Sequence, residues 1–223
     1  MSNSIAFDST LNPLEEARLL KKYQDFARQI AKKVHFSLNE VEALIIMYYK
    51  IQKNGDYDPE GITKEEFRDV LHKALDMTDD RIMNIVVTAL DTKARDYIGR
   101  ETWINALSLL LRGTLEEKLQ FCFSVYDYRG AGVLGKEAIF NILKYSLLSS
   151  AGESDAEESV RDLVDVILKK LDVDRDGKIS FNDYKTAVLK DPGWLEFLGP
   201  CLPDRSAIST FLNTMTRQLK RTF

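Results

Sequence analysis

The sequence predicts an all-α protein made of four helix–loop–helix units in two lobes, with a further amphipathic helix at each end. The first observation is an internal repeat, because similar loops begin at residues 55, 91, 127 and 172, which are 36, 36 and 45 residues apart. The second is that the eighth position of every loop is apolar: Ile62, Ile98, Leu134 and Ile179. An apolar residue there lets two loops pair through a short β-bridge, so the first loop is predicted to pair with the second and the third with the fourth.

Composition limits the classes of protein that the chain fits. It has 223 residues, of which 44% are hydrophobic and 30% charged, and its formal net charge is −4. These values are typical of a soluble globular protein and do not favour nucleic-acid binding. Two cysteines and two histidines are too few for a disulfide scaffold or a zinc cluster. Without a signal-peptide pattern or an apolar run of membrane-spanning length, the protein is predicted to be soluble and cytoplasmic, with no membrane anchor.

Residues 14–34 are predicted to form a basic amphipathic helix, within an N-terminal segment that spans residues 1–36. Apolar residues lie along one stripe at helical spacing: Leu19, Leu20, Tyr23, Phe26, Ala27, Ile30 and Val34. Six cations lie mainly elsewhere on the helix surface: Arg18, Lys21, Lys22, Arg28, Lys32 and Lys33. Two interpretations remain open, because such a helix either packs on the acidic body of its own chain or contacts a membrane or an acidic partner.

The first lobe is predicted to span residues 37–113. Ser37 and Glu40 match a capping box, in which each side chain bonds the backbone of the other, so a helix is predicted from there to about Ile51. The first loop follows, and the next helix is predicted over residues 63–75.

Neither loop of the first lobe has the side chains of a cation site. Gly55 and Pro59 of the first loop provide no side-chain oxygen at positions that hold carboxylates in the fourth loop. In the second loop, Lys93 and Arg95 place positive charges at such positions, and Thr102 replaces the final acid. Since positive side chains repel a cation, both loops are predicted to be metal-free.

The third loop is predicted to keep its shape without binding a metal. It retains Asp127 and the turn residue Gly132, but Arg129, Ala131 and Ala138 each replace an oxygen ligand.

The fourth loop, residues 172–183, completes the second lobe, which is predicted to span residues 114–190. It has the form of an EF-hand calcium loop, in which alternate aspartates precede a glycine, here Gly177, that allows a sharp turn. The predicted metal ligands are Asp172, Asp174, Asp176, the backbone carbonyl of Lys178, Ser180 and Asp183. An acidic surface turn is the alternative, and the fixed offsets of the three aspartates, the glycine and Ile179 disfavour it.

Asp183 departs from the usual EF-hand loop, which has glutamate at its last position. Because aspartate is one methylene shorter, we expect it to reach the ion through one oxygen rather than two. This lowers the coordination number and weakens the preference for Ca²⁺ over Mg²⁺. The sequence therefore predicts a Ca²⁺ site at which Mg²⁺ is an alternative occupant.

Two segments flank the helices of the fourth unit. Residues 149–158 are predicted to form a polar, acidic linker before a helix at residues 160–171. After the lobe, residues 191–223 are predicted to form a helical tail, with a short helix at residues 194–198. A second tail helix is indicated by an apolar stripe: Ile208, Phe211, Leu212, Met215 and Leu219. This helix either covers an apolar groove of the protein itself, which we favour, or binds a partner.

No sequence pattern of a catalytic site is present. No Ser–His–Asp or Cys–His set stands out, and Gly135-Lys136 lacks the glycine-rich loop of a phosphate site. Cys122 lies between Phe121 and Phe123 and is predicted to be a core residue rather than a redox group. The protein is therefore predicted to be non-enzymatic.

Residues 112–127, RGTLEEKLQFCFSVYD, resemble the link into the third hand of the neuronal calcium sensor family. Residues 71–80, 107–113 and 197–204 are similar to segments of the calaxin family, its ciliary relatives. The similarity covers residues 37–204 and excludes the two terminal helices. It implies a calcium-responsive protein of motile cilia and flagella, located at the axoneme, where outer-arm dynein and its docking complex are the associated partners. Calaxin-type proteins generally retain more than one metal-binding hand, whereas this chain keeps only the fourth.

Three functions remain open from the sequence. The first is a regulatory adaptor of axonemal dynein whose conformation changes when Ca²⁺ binds. Its partners would be the dynein heavy chain and coiled-coil docking-complex subunits, with tubulin as a further candidate. The second is a constitutive structural subunit of the docking complex. The third is the regulatory subunit of a soluble enzyme such as a phosphatase.

Overall fold

The computed structural model describes residues 11–54, 61–91, 96–147 and 153–219, with the side chains of residues 145–147, 153–156 and 216–219 outside the description. The helices in this part of the chain are α1 (Pro13–Ile30), α2 (Leu38–Asn54), α3 (Lys64–Leu75), α4 (Asp80–Leu90), α5 (Arg100–Arg112), α6 (Leu115–Tyr126), α7 (Lys136–Leu147), α8 (Glu153–Leu171), α9 (Phe181–Lys190) and α10 (Arg205–Leu219). The strands are β1 (Ile62–Thr63), β2 (Tyr97–Ile98), β3 (Val133–Gly135) and β4 (Lys178–Ser180). The predicted all-α class is confirmed.

Each strand lies between two helices, so the elements repeat as helix–strand–helix four times. The strands pair antiparallel, β1 with β2 and β3 with β4. Ile62 is opposite Ile98 in the first pair, and Leu134 is opposite Ile179 in the second. The predicted pairing of the eighth loop positions is therefore confirmed. Residues 1–114 and 203–223 belong to one compact unit, and residues 115–202 to another.

Aromatic side chains fill the core of the first unit. The rings of Tyr48 and Phe67 lie 6.1 Å and 5.8 Å from the ring of Trp103, and all three side chains are buried. Their polar atoms are satisfied, because Trp103 Nε1 donates to the Leu44 carbonyl at 3.1 Å and Tyr48 Oη donates to the Ile98 carbonyl at 2.8 Å. The second bond links helix α2 to strand β2.

A charged network connects the start of α2 to the end of α5. The Ser37 amide donates to Glu40 Oε2 at 2.8 Å, and the Glu40 amide donates to Ser37 Oγ at 3.4 Å, which confirms the predicted capping box. Arg112 Nη2 donates to Glu40 Oε1 at 2.6 Å, and Arg112 Nη1 donates to the His35 carbonyl at 3.0 Å.

Helix α1 packs on α2, with Leu19, Ala27 and Ile30 buried. Asn12 caps its first turn, and Glu15 Oε1 accepts hydrogen bonds from the Tyr49 hydroxyl at 2.8 Å and from Lys53 Nζ at 3.0 Å. The helix ends at Ile30 rather than at the predicted residue 34, because residues 31–33 form a turn.

Helix α10 packs on α2 and α3, within the first unit. Its buried side chains are Ala207, Phe211 and Met215, which follow one another at intervals of four residues. The C-terminal helix therefore covers apolar surface of its own chain, as the sequence favoured.

The second unit corrects two sequence predictions. Helix α8 begins at Glu153, so most of the predicted linker at 149–158 is helical, while residues 148–152 lie outside the described part of the chain. A 3₁₀ helix at Pro192–Trp194 followed by a turn replaces the predicted helix at 194–198. None of the helices in the described residues is long and apolar enough to cross a membrane.

Candidate metal centre

The fourth loop joins α8 to β4 through a tight backbone turn. Gly177 has φ +85°, and Arg175 is one of two non-glycine residues in the described chain with positive φ, at +63°. The carboxylate of Asp172 stabilises this turn, because its Oδ2 accepts from the Gly177 amide at 2.8 Å and its Oδ1 from the Asp176 amide at 3.2 Å. The loop therefore folds around its first acidic residue.

Three predicted ligands converge in this loop. Asp172, Asp174 and Asp176 each place a carboxylate oxygen within 4.8 Å of the others, and no other group of three or more His, Cys, Asp or Glu in the described residues meets this distance. The Asp176 amide donates to Asp174 Oδ1, which by itself would lower the pKa of Asp174. Partial desolvation and the surrounding carboxylates of Asp183, Asp176 and Asp172 nevertheless raise the pKa of Asp174. Such repulsion is relieved when a cation binds.

The last two predicted side-chain ligands, Ser180 and Asp183, form a capping box at the start of α9. Ser180 Oγ donates to Asp183 Oδ2 at 2.5 Å, and the Ser180 amide donates to the same oxygen at 3.0 Å. Asp183 is only 6% exposed. Burial alone would raise the pKa of Asp183, but hydrogen bonds from Ser180 and from the backbone of Val173 and Asp174 hold it below its ordinary value. The carboxylate is thus held ionised against the start of the loop.

Pairing with the third loop fixes the remaining position of the fourth. Lys178 lies opposite Gly135, and its side chain is exposed. The sequence predicts the backbone carbonyl of this residue, rather than its side chain, as the ligand. The neighbouring Ile179 is fully buried opposite Leu134. The third loop therefore contributes to the site as a support for strand β4.

The third loop has nearly the same backbone arrangement as the fourth. Asp127 Oδ2 accepts from the Gly132 amide at 2.6 Å, and its Oδ1 accepts from the Ala131 amide at 2.8 Å. Gly132 has φ +75°, close to the value at Gly177. Arg129 is exposed at the position that corresponds to Asp174. The shape of the loop is retained although two of the three converging carboxylates are missing.

The second loop contains an ion pair that sequence reasoning missed. Lys64 Nζ lies 3.2 Å from Asp91 Oδ2, and the Asp91 side chain is 2% exposed. Asp91 is the first residue of its loop. The ammonium group of Lys64 therefore faces the carboxylate that would be the first metal ligand in a metal-binding loop. Of the residues used in the metal-free prediction, Lys93, Arg95, Gly55 and Pro59 lie outside the described residues, whereas Thr102 lies in α5.

Comparison with known proteins agrees with this geometry. Residues 116–189 match a family model described as an EF-hand domain pair. Calaxin from Xenopus laevis is 41% identical over 194 residues, which cover 86% of this chain and 93% of that protein. The chain belongs to the calaxin family. Human calaxin is 42% identical over 189 residues, 82% of this chain and 89% of the relative. A recoverin family protein from Dictyostelium discoideum is 28% identical over 77% of this chain.

Membership of the calaxin family confirms the resemblance seen in the sequence. Calaxins and the EF-hand pair together identify the chain as a calcium-binding regulatory protein.

Proposed function

We propose that this calaxin-family chain is a non-enzymatic adaptor of motile cilia that binds one divalent cation in its fourth loop. In this proposal it associates at the axoneme with outer-arm dynein and the docking complex. The observation that carries the metal part is the convergence of Asp172, Asp174 and Asp176 beside the buried Asp183. The axonemal part rests on the family and on the charged surface of α1.

The donor set of the fourth loop fits a hard cation such as Ca²⁺ or Mg²⁺, because it consists of oxygen atoms. The carboxylates of Asp172, Asp174, Asp176 and Asp183, the Ser180 hydroxyl and the Lys178 carbonyl would hold the ion. When bound, the ion supplies positive charge that offsets the repulsion among these groups. Since Asp183 also caps α9, a change in its contacts alters the start of that helix, which couples the loop to the exit helix.

The exposed cations on the outer face of α1 favour the binding of an acidic protein partner. Arg18, Lys21, Lys22 and Arg28 recur at helical spacing on this face and are exposed, and in the described residues none of them has an ion-pair partner. The apolar face of α1 is already packed on α2, so it is not available for insertion into a lipid bilayer. Acidic coiled coils of docking-complex subunits, an acidic segment of the dynein heavy chain, or tubulin have the complementary charge.

A constitutive structural subunit is the second candidate, and a specific observation favours it. The ammonium group of Lys64 lies beside the Asp91 carboxylate, at the first position of the second loop, so a side chain of the protein provides the positive charge that a metal ion would provide there. In addition, α10 covers α2 and α3. A lobe that is closed by its own helix and its own ion pair needs no Ca²⁺ to keep its shape.

The experiment is a binding titration of the labelled chain to axonemes that retain or lack the docking complex, in Ca²⁺ or in EGTA with Mg²⁺. The adaptor proposal predicts saturable binding that requires the docking complex and whose affinity changes with Ca²⁺. Equal affinity in both buffers would favour the constitutive subunit, and no saturable binding would contradict the axonemal assignment. The double variant Lys21→Glu/Lys22→Glu should weaken binding, whereas the matched change Lys169→Glu/Lys170→Glu on exposed positions of α8 should not.

A further inference from the structure

The two cysteines of the chain meet in the core of the second unit. Cys122 lies on α6, and Cys201 lies in the segment that follows the 3₁₀ helix. Both side chains are fully buried, and their Sγ atoms are 3.2 Å apart. A disulfide bond has a length near 2.05 Å, so the sulfur atoms need to approach by only about 1.2 Å.

The two cysteines differ in how firmly their backbones are held. Cys122 is inside a helix whose neighbours Leu119, Val125 and Tyr126 are buried. Cys201 is in residues 195–202, which we call the cover segment, and this segment contains no regular helix or strand. A single carboxylate oxygen, Glu196 Oε1, accepts from the amides of Cys201 and Leu202, both at 2.8 Å. The Tyr126 hydroxyl of α6 also donates to the Gly199 carbonyl at 2.8 Å, and Leu198 is buried. Release of these few contacts would expose Cys201 while α6 stays folded.

We propose that Cys122 and Cys201 form a reversible intramolecular disulfide that fixes the cover segment on α6, with a low-molecular-weight disulfide such as oxidised glutathione as the oxidant. This modification site lies outside the metal loop and does not depend on the proposed ciliary function.

The chemistry balances in two exchange steps. In the first, the Cys201 thiolate attacks oxidised glutathione, which forms a mixed disulfide at Cys201 and releases one glutathione thiolate. In the second, which takes place before the cover segment has closed again, Cys122 loses its proton to solvent and its thiolate attacks the Cys201 sulfur, which releases the second glutathione as a thiolate. The two protein thiols lose two electrons and two protons, and one molecule of oxidised glutathione is reduced to two thiols.

The closed arrangement protects the reduced pair. The hydrogen bond between the two thiols and burial both raise the pKa of Cys122, and the buried position of both side chains leaves the oxidant no path to them while the segment is in place. Oxidation is therefore limited by the opening of the cover segment rather than by the intrinsic reactivity of an exposed thiol.

Fixing the cover segment would also fix the surface that it contacts. Phe197 of the segment lies 5.2 Å from the Tyr126 ring and 5.7 Å from the Tyr184 ring. The Tyr184 hydroxyl donates to the Leu195 carbonyl at 2.6 Å. Tyr184 follows Asp183 in α9. By fixing the cover segment to α6, the disulfide would therefore also hold the segment against α9, the helix that leaves the fourth loop.

The test is treatment of the reduced full-length chain, under native conditions, with oxidised glutathione. We expect the intact mass to fall by two hydrogen atoms, a Cys122–Cys201 crosslinked peptide after digestion, and full reversal by a dithiol reductant. The thermal midpoint of the oxidised protein should rise by about 5–10 °C, because the crosslink restricts the unfolded chain. Cys122→Ser should stop at one glutathione adduct on Cys201, and Cys201→Ser should react more slowly than the wild-type chain.

Three results would overturn the proposal. They are wild-type protein that keeps both thiols after prolonged treatment with oxidised glutathione, protein that carries two glutathione adducts, and disulfide-linked dimers. Since the first reaction is measured on the wild-type chain by mass, the test remains decisive even if a serine variant does not fold.

Discussion

Lys64 Nζ and Asp91 Oδ2 form a 3.2 Å ion pair that joins the first loop of the chain to the second. Asp91 stands where an EF-hand loop begins to bind its metal, and Lys64 is the first residue of helix α3. The pair places the ammonium group of Lys64 beside the carboxylate that begins the second loop. The fourth loop has no such ammonium group among its described ion pairs, and its aspartates face one another instead.

The first prediction concerns this ion pair. Lys64→Met should lower the free energy of unfolding by about 1–3 kcal/mol, because it removes a charged partner of the buried Asp91 carboxylate, while the partial exposure of Lys64 limits the loss. Lys73→Met is the matched control, since Lys73 pairs with the exposed Asp69 and its removal should cost at most about 0.5 kcal/mol. Urea denaturation measures both. Equal losses of unfolding free energy in the two variants would show that the buried ion pair stabilises the fold no more than the exposed one.

The second prediction concerns the length of the last ligand. Asp183→Glu restores the side chain that can offer two oxygens, so Ca²⁺ binding should tighten by about tenfold, with a smaller gain for Mg²⁺. The capping box should survive because Glu also accepts at the third helical position. Asp162→Glu, at an exposed position of α8, controls for the added methylene. Competition titration with a calcium-chelating dye gives both affinities, and an unchanged or weaker Ca²⁺ affinity would contradict this account of Asp183.

The third prediction concerns acid stability at the Arg112–Glu40 pair. Burial alone would raise the pKa of Glu40, but Arg112 and Ser37 hold it below its ordinary value of 4.5. A lowered folded-state pKa means that the stabilisation is present above pH 4.5 and is lost as the pH falls through the lowered value. Glu40→Gln keeps the capping box but removes the charge, so it should lower stability at pH 7 by about 1 kcal/mol. The difference from wild type should disappear as the pH falls through the lowered pKa of Glu40, and a difference that persists in acid would refute the electrostatic origin.

The fourth prediction tests the docking of α10. Met215 is 1% exposed, so Met215→Asp should detach the helix from α2 and α3 or unfold the lobe, with a loss of about 3–5 kcal/mol. Fluorescence of a hydrophobic dye should increase at the same time. Asn213→Asp introduces the same side chain at an exposed position of the same helix and should change neither readout. A silent Met215→Asp would mean that α10 does not cover the first unit in solution.

The repeat could be predicted from sequence because its signal is local and periodic. The apolar residues Ile62, Ile98, Leu134 and Ile179 identified the strand pairs correctly, and the alternating aspartates located the loop in which three carboxylates converge. These features depend on spacing within a few residues.

The features that were missed depend on longer-range packing or on ambiguous local chemistry. Lys64 and Asp91 come together only through the pairing of two loops, so neither residue alone predicts their contact. The start of α8 was misjudged because acidic residues after Gly152 suggested a linker, whereas the same residues are favourable in the first turn of a helix. The contact of Cys122 with Cys201, 79 residues away, follows from the path of the cover segment.

The central claim is that the chain binds one divalent cation, in the fourth loop, and the most direct test is calorimetric titration with Ca²⁺ in the absence and presence of millimolar Mg²⁺. We predict one binding event per chain, absent in Asp172→Ala and retained in Asp127→Ala, which removes the corresponding residue of the third loop. No heat of binding, two or more sites, or binding that survives Asp172→Ala would contradict the claim.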